Sequence, residues 1–497
     1  MEKTVYDRLA DVVGSEWVSD EPEITVGYSR DLATYARFGR SRSPACIVMP
    51  GSTSEVQDIM NVARRFKLPI VAIGTALNIS AAHILHAGGI LLDFKRMDKI
   101  LEIDEENCTA TIQPYVTLAR LSCEMQKRNM FIPIPGAPST ASALSNLVVW
   151  GDTHKVTGRI DFQYMCVVGV EMVLPDGKVL RTGSLADVYT DESFWPHGPG
   201  PDLWMLQRWV PNSYGVVTAA TVRGYPLDAE FKPFWVAFED IEDAAAAYIE
   251  YCREEITTGS SLYGGFKYHY FMDTDECGWR AGRIHPKFML CLTLQGTKRR
   301  VEYEENTLRR IVDKYGGRVL TDRLPFYQMF VDSHIGMAGS FSSDLGATKY
   351  IFCFGIGPGF IGPITPGNLE RTWKTYARLI AEDPNMGDPE EWNFPFDIGL
   401  IGYPCPGGHY MMIELFATVF PNEPLAKKIN PRFYRKLWKE LERIGVSGEH
   451  GRLGTGRSSE LGVIPTYYKL AEGFKEILDP EGIMHPGEWL PSVSYKR

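Results

Sequence analysis

Between residues 44 and about 226 short β-rich runs alternate with helix-like stretches, and one of those runs stops at a glycine. The strand-like runs are Ala45–Met49, Ile70–Ile73, Ile90–Asp93, Thr109–Gln113 and Val167–Leu174. Between the first two lies Thr53–Phe66, with Val56, Ile59, Met60 and Ala63 at helical spacing and Ser54 placed to cap it. Met165–Leu174 continues into Pro175-Asp176-Gly177-Lys178-Val179-Leu180, which reads as strand, tight turn and strand. A β-α-β order mixed with hairpins predicts an α+β domain rather than a plain doubly wound sheet.

The chain has 497 residues, enough for about two to four lobes. Its 44% apolar and 23% charged content excludes global disorder. With 52 basic and 62 acidic residues the net charge is −10, the wrong sign for coating nucleic acid. Nine scattered cysteines, none in C-x-x-C, argue against a disulfide scaffold, a zinc knuckle or an iron–sulfur cluster. His83 and His86 stand three apart but lack a nearby third ligand, and the other histidines are scattered, so no metal site is expected. The start lacks an apolar signal core, and no apolar run reaches the ~18 residues of a membrane span. A cytoplasmic, soluble protein with no membrane span is expected.

From about 227 to 434 the sequence is richer in aromatics. Ile241–Thr257, Val301–Tyr315 and Asn368–Glu382 read as helices, and Tyr410–Phe420 reads as a strand. Gly355–Gly367 holds three prolines and five glycines and reads as a loop. Helix-like stretches return at Arg432–Ile444 and Tyr467–Leu478.

The run Ile70–Ile73 ends at Gly74, followed by Thr75-Ala76-Leu77-Asn78-Ile79-Ser80. Successive backbone N–H groups of such a loop can converge on a diphosphate. It fits neither G-x-G-x-x-G nor G-x-x-x-x-G-K-[ST], so it is not a Rossmann or P-loop signature. G-x-S-x-G is absent as well, and with it the signature of an α/β-hydrolase nucleophile.

Four ordered segments and the end of the chain carry a resemblance. They are Ile70–Ala82 with Gly89–Asp104, Pro135–Gly151, Gly169–Gly183, Gly200–Leu203 through Asn212–Thr218, and the tail Asp479–Gly487. Together they resemble the flavoprotein family of vanillyl-alcohol oxidase and p-cresol methylhydroxylase. The resemblance is dense over about 45–226, thinner over 227–434, and returns at the end. It implies an α+β fold: a two-subdomain FAD-binding domain of the PCMH type with an inserted α+β cap, or substrate, domain. The implied division is 1–226 for the first part of the FAD-binding domain, 227–434 for the cap, and 435–497 for the part that completes the FAD-binding domain.

By the same resemblance Ile73, Gly74, Thr75, Ala76, Leu77, Asn78 and Ile79 would cradle the FAD diphosphate. Pro135, Ser139, Thr140, Asn146 and Gly151 would line the flavin, and Gly215, Val216 and Val217 would meet the adenine side through their backbone. Many relatives hold the flavin covalently on a cap strand, and either His409 or Tyr410 stands in that place; a noncovalent flavin is the alternative. Arg452 is the candidate anion binder, and His409, Tyr410 and His450 are candidate proton acceptors. Asp397 and Glu414 are further carboxylates in the same region.

The phenol-oxidising members bind phenolate with two tyrosines and an aspartate that are missing here. Ile79 stands near one tyrosine position, Gly451 at the other, and Val149 near the aspartate. The implied function is therefore an FAD-dependent oxidoreductase that removes hydride from an alcohol or benzylic-type carbon of an aromatic or bulky apolar substrate. The alternatives are a flavin-dependent 2-hydroxy-acid dehydrogenase of glycolate-oxidase type and a non-catalytic flavin-fold subunit. The implied partners are a small-molecule substrate and an electron acceptor. The acceptor is a separate cytochrome or iron–sulfur subunit, or oxygen. A homo-oligomer is expected.

Overall fold

The computed structural model describes residues 1–29, 43–76, 83–85, 88–133, 140–150, 163–186, 195–196, 202–203, 206, 210, 212–227, 230–256, 259–265, 287–321, 355–356, 360–383, 397–404, 406–419, 433, 436–446 and 465–486. The first sheet has four strands in the order Val18–Ser19, Cys46–Val48, Ile90–Asp93, Ile70–Ile73. The last three run parallel. Parallel strands need a crossover, and the helix Thr53–Phe66 supplies the first one. Its apolar stripe Val56, Ile59, Met60 and Ala63 is buried as expected.

The cap of that helix is Ser52 and not Ser54. Ser52 has extended backbone, and its hydroxyl accepts from the Glu55 N–H at 3.2 Å. Ser54 lies inside the first turn, where a side chain cannot serve as N-cap. Glu55 also accepts from the Gly51 N–H at 2.7 Å, one residue ahead of the cap.

The second sheet is antiparallel, in the order Ile100–Asp104, Thr109–Ile112, Val216–Arg223, Val167–Val173, Val179–Arg181. The last two strands form the expected hairpin, turning at Gly177 with φ +82°. The two sheets share a core: Val173 and Val216 pack with Val56, Ile59 and Ile70. Thr53 adds a hydroxyl bond to Glu171 at 2.7 Å across the junction.

The third sheet is antiparallel and has eight strands. Its main path is Arg318–Val319, Glu230–Phe238, Phe288–Gly296, Gly259–Gly265, Asp397–Pro404, Met411–Val419, Gly355–Ile356, with Phe360–Ile364 also on Met411–Val419. The 355–367 stretch is thus not all loop, as its glycines and prolines suggested: 355–356 and 360–364 pair with Met411–Val419. Pro363 is accommodated because this strand lies at the rim, where a missing donor costs no ladder bond.

The helices Ile241–Arg253, Lys298–Lys314 and Leu369–Ala381 and residues 436–443 pack on one face of this sheet. They meet Phe234, Val236, Leu290, Leu292, Met411, Ile413 and Leu415. Phe433, Leu437, Leu441 and Val446 join the same core, so packing carries this unit past 434 to 446.

The helix Pro465–Leu478 leads the chain back to the first sheet. Ile70 donates to Ile483 O at 2.8 Å, and His485 donates to Ile70 O at 3.0 Å. The end of the chain therefore pairs with a strand laid down about four hundred residues earlier.

Candidate FAD site

Ligands of parallel sheets bind beyond the carboxyl ends of the strands. Here those ends are Ile73–Gly74 and Asp93, adjacent in register. Gly74 lies against Pro114 and Ser142. A Cβ at this position would stand 3.0 Å from Ser142 Cβ and 3.2 Å from Pro114 O, so glycine lets the loop lie this close without displacing them. Two residues on, Ala76 has φ +62°, the left-handed conformation. A left-handed residue after an ordinary one turns consecutive N–H groups to one side. Among the described residues nothing accepts from the N–H of Thr75 or Ala76.

Asp93 is buried beside them, with its charge answered locally. Tyr28 donates its hydroxyl to the carboxylate at 2.7 Å, and Lys95 Nζ lies 2.9 Å away. Burial and the Asp93 carboxylate push the Tyr28 hydroxyl above its ordinary pKa. Burial opposes the Lys95 ammonium, but Tyr28 and Asp93 outweigh it and raise its pKa. A paired carboxylate at this strand end does not repel a bound anion as a bare one would.

The described part of the Pro135–Gly151 segment, 140–150, meets Gly74 at Ser142. Thr117 and Ser142 form a bridge, and Ser142 donates to Pro114 O at 2.7 Å. Asn146 donates its amide back to Ser142 O at 2.8 Å and opens a π-helical stretch, Ser145–Trp150. Such a widened turn is frequent at functional sites. Thr140 is exposed at the start of this segment. Leu147 and Val148 are buried in the second core, and Val149 is half-buried.

Gly215, Val216 and Val217 enter the strand beside Val167–Val173. A Cβ on Gly215 would stand 2.7 Å from Val173 O. Val216 and Val217 are buried, one in each of the two FAD-side cores. Any ligand contact they make is thus through the backbone.

The two candidate anchors differ in burial and stand just ahead of the strand Met411–Val419. Side chains alternate faces along a strand. Met411, Ile413 and Leu415 face the helical core, whereas Met412 is buried and outside it. The turn before them carries Gly407 and Gly408 with φ of +65° and +62°, and Gly408 lies against Cys252 of the helix Ile241–Arg253. His409 is exposed at the end of this turn, and Tyr410, half-buried, immediately precedes the strand. Trp235, Met289 and Cys291 are buried with Met412 on the face opposite the helical core.

Leu77, Asn78, Ile79, Pro135, Ser139, Gly151, His450 and Arg452 lie outside the described residues. Among the described residues no group of His, Cys, Asp and Glu could hold a metal, and the described cysteines are free thiols. No helix of the described residues is long and apolar enough to cross a membrane.

Two site-building features were missed from the sequence. Lys475 is buried and donates to Ser213 O, Asp479 Oδ2 and Met484 O at 2.6, 2.6 and 2.7 Å. Asp479 in turn accepts from the Ile483 and Met484 N–H groups at 3.0 and 2.9 Å. Asn212 bonds to Ala72 with both ends of its amide. The Lys475-x-x-x-Asp479 spacing, one helical turn ahead of the tail motif, was the available signal for the first.

The residues present fit an extended dinucleotide. Thr75 and Ala76 offer N–H groups at a strand end, and Gly74 brings that loop against the Ser142–Asn146 turn.

Residues 44–183 match the model of the FAD binding domain. The chain is 29% identical over 250 residues to glycolate oxidase subunit GlcD of Bacillus subtilis, covering 49% of this chain and 49% of that one. It is 31% identical over 239 residues to the 4-cresol dehydrogenase flavoprotein subunit of Pseudomonas putida, covering 47% and 44%. These two matches span about half the length of those relatives. A D-lactate dehydrogenase of Anaerostipes hadrus is 21% identical over 487 residues, covering 94% and 93%. Among solved structures, 4-ethylphenol oxidase from Gulosibacter chungangensis superposes with a TM-score of 0.81 at 18% identity, covering 98% and 97%. Substrate-bound p-cresol methylhydroxylase gives 0.78 at 19%, covering 99% and 98%. Residues 44–183 thus match an FAD binding domain, and the chain shares its fold with p-cresol methylhydroxylase.

Proposed function

We propose that this protein is an FAD-dependent oxidoreductase that removes hydride from an alcohol or benzylic-type carbon of an aromatic or bulky apolar substrate. When bound, FAD supplies the hydride acceptor. The chain's residues do the rest. The Gly74–Ala76 loop holds the diphosphate, and the Ser142–Asn146 turn sets its floor. The observation that carries the substrate class is the apolar face of the third sheet opposite its helical core, where Trp235, Met289 and Met412 are buried. Such an apolar wall orients an apolar substrate and excludes water. Half-buried Tyr410 is favoured as the proton acceptor or flavin anchor in this reading, with His409 as the alternative. Arg452 and His450 would bind and deprotonate a polar substrate group. The electron acceptor is a separate redox protein or oxygen.

Loss of the phenolate-binding positions at Ile79 and Val149 favours an alcohol over a phenol. The end-to-end likeness to a D-lactate dehydrogenase favours a second reading, a 2-hydroxy-acid dehydrogenase with Arg452 on the carboxylate. Anaerobic mixing separates the two. Benzylic alcohols are expected to bleach the flavin band and 2-hydroxy acids to leave it. The reverse pattern would establish the second reading.

A further inference from the structure

A strand at a sheet edge exposes N–H and C=O groups that must find partners. Ile70–Ile73 is such a strand, with Ile90–Asp93 on one side. On its open side the returning tail takes both backbone groups of Ile70. Two residues on, the pattern continues without a strand. Ala72 N–H donates to Asn212 Oδ1 at 3.0 Å, and Asn212 Nδ2 donates to Ala72 O at 3.1 Å. A carboxamide offers the same donor and acceptor as a peptide unit. The Asn212 side chain thus stands where the next residue of a neighbouring strand would be.

Asn212 is itself held. Its φ is +60°, a conformation that asparagine tolerates. The following residue, Ser213, gives its carbonyl to buried Lys475 at 2.6 Å. Tyr214 donates its hydroxyl to Ala471 O at 3.0 Å. The amide is therefore carried by a turn clamped to the last helix, and it grips the strand two residues before Gly74.

We propose that Asn212 is a positioning residue for the cofactor loop: its amide completes the open edge of Ile70–Ile73 and fixes the direction in which Thr75 and Ala76 present their N–H groups. It rests on the FAD reading and assigns Asn212 no contact with the flavin. Its role is distinct from general stability, because the bonded strand leads directly into the loop.

The test uses the full chain made flavin-free in riboflavin-limited cells. Asn212→Gly keeps the left-handed backbone and deletes the amide. Asn212→Asp keeps the shape and the acceptor but loses the donor to Ala72 O. Flavin fluorescence gives the FAD dissociation constant, and hydrogen exchange reports on the peptide covering 70–76. Loss of these bonds is expected to raise the dissociation constant about ten-fold in each variant, with unchanged far-UV circular dichroism and faster exchange over 70–76. A dissociation constant within about two-fold of wild type in both folded variants overturns the proposal. If the wild-type chain takes up no FAD, the FAD reading fails instead. Exchange over 70–76 then decides the role of Asn212: unchanged exchange overturns it and faster exchange upholds the alignment.

Discussion

Replacing Asp479 with alanine is expected to cost about 3–5 kcal/mol, the usual penalty for leaving one member of a buried ion pair alone. The side chains of Lys475 and Asp479 are 2% and 0% exposed. In the wild type all three ammonium protons have acceptors, and the carboxylate takes two backbone N–H groups. Without the carboxylate a buried cation keeps only two carbonyls, and the turn that brings Ile483–His485 back to Ile70 loses its core.

The pH dependence has a definite sign. Burial lowers the Lys475 pKa, against the opposing attraction of Asp479. A lysine with a depressed folded pKa binds fewer protons folded than unfolded, so stability rises with pH between the folded and unfolded values. Removing the carboxylate depresses it further, so the deficit of the variant should narrow toward alkaline pH. Denaturant unfolding across pH measures both effects. A loss under about 1 kcal/mol at neutral pH would show that the clasp is dispensable.

Neighbouring glycines provide the second contrast. Gly88 and Gly89 both have positive φ, +73° and +120°. A Cβ on Gly88 meets nothing within 4 Å, while one on Gly89 would stand 2.2 Å from Pro69 O. That carbonyl is also the acceptor of the Ile90 N–H at 2.7 Å, and Gly89 O takes the N–H groups of Ala45 and Cys46. Backbone on both sides leaves no room to yield. Gly88→Ala should cost about 1–2 kcal/mol from its conformation alone. Gly89→Ala should cost at least about 3 kcal/mol, because the clash forces apart three parallel strands. Equal losses in a paired denaturation experiment would contradict this packing.

What could be read in the sequence was local. The strands Ile70–Ile73 and Ile90–Asp93 and the helix Thr53–Phe66 follow from periodicity and appear with the expected bounds. The hairpin at Gly177 follows from turn chemistry. What could not be read depends on distant partners. The strand at 360–364 exists because Met411–Val419 offers it an edge, which glycine and proline content does not reveal. Asn212 and Ala72 are 140 residues apart, and Lys475 and Ser213 are 262 apart. His409 and Tyr410 are indistinguishable as neighbours in sequence, and in the fold they differ in burial, His409 exposed and Tyr410 half-buried. The Gly74 loop was recognised from an ordered set of segments, and the structure supplies its physical content in the left-handed Ala76 and the contact with Ser142.

The central claim is that the Gly74–Ala76 loop and its surroundings hold FAD. The visible spectrum of the purified protein, or of the flavin-free chain titrated with FAD, tests it most directly. The account predicts a flavin band at a stoichiometry near one per chain. Acid precipitation then locates the colour: in the pellet for a bond to Tyr410 or His409, in the supernatant for a noncovalent flavin. A colourless protein that leaves the spectrum and fluorescence of added FAD unchanged would contradict the account.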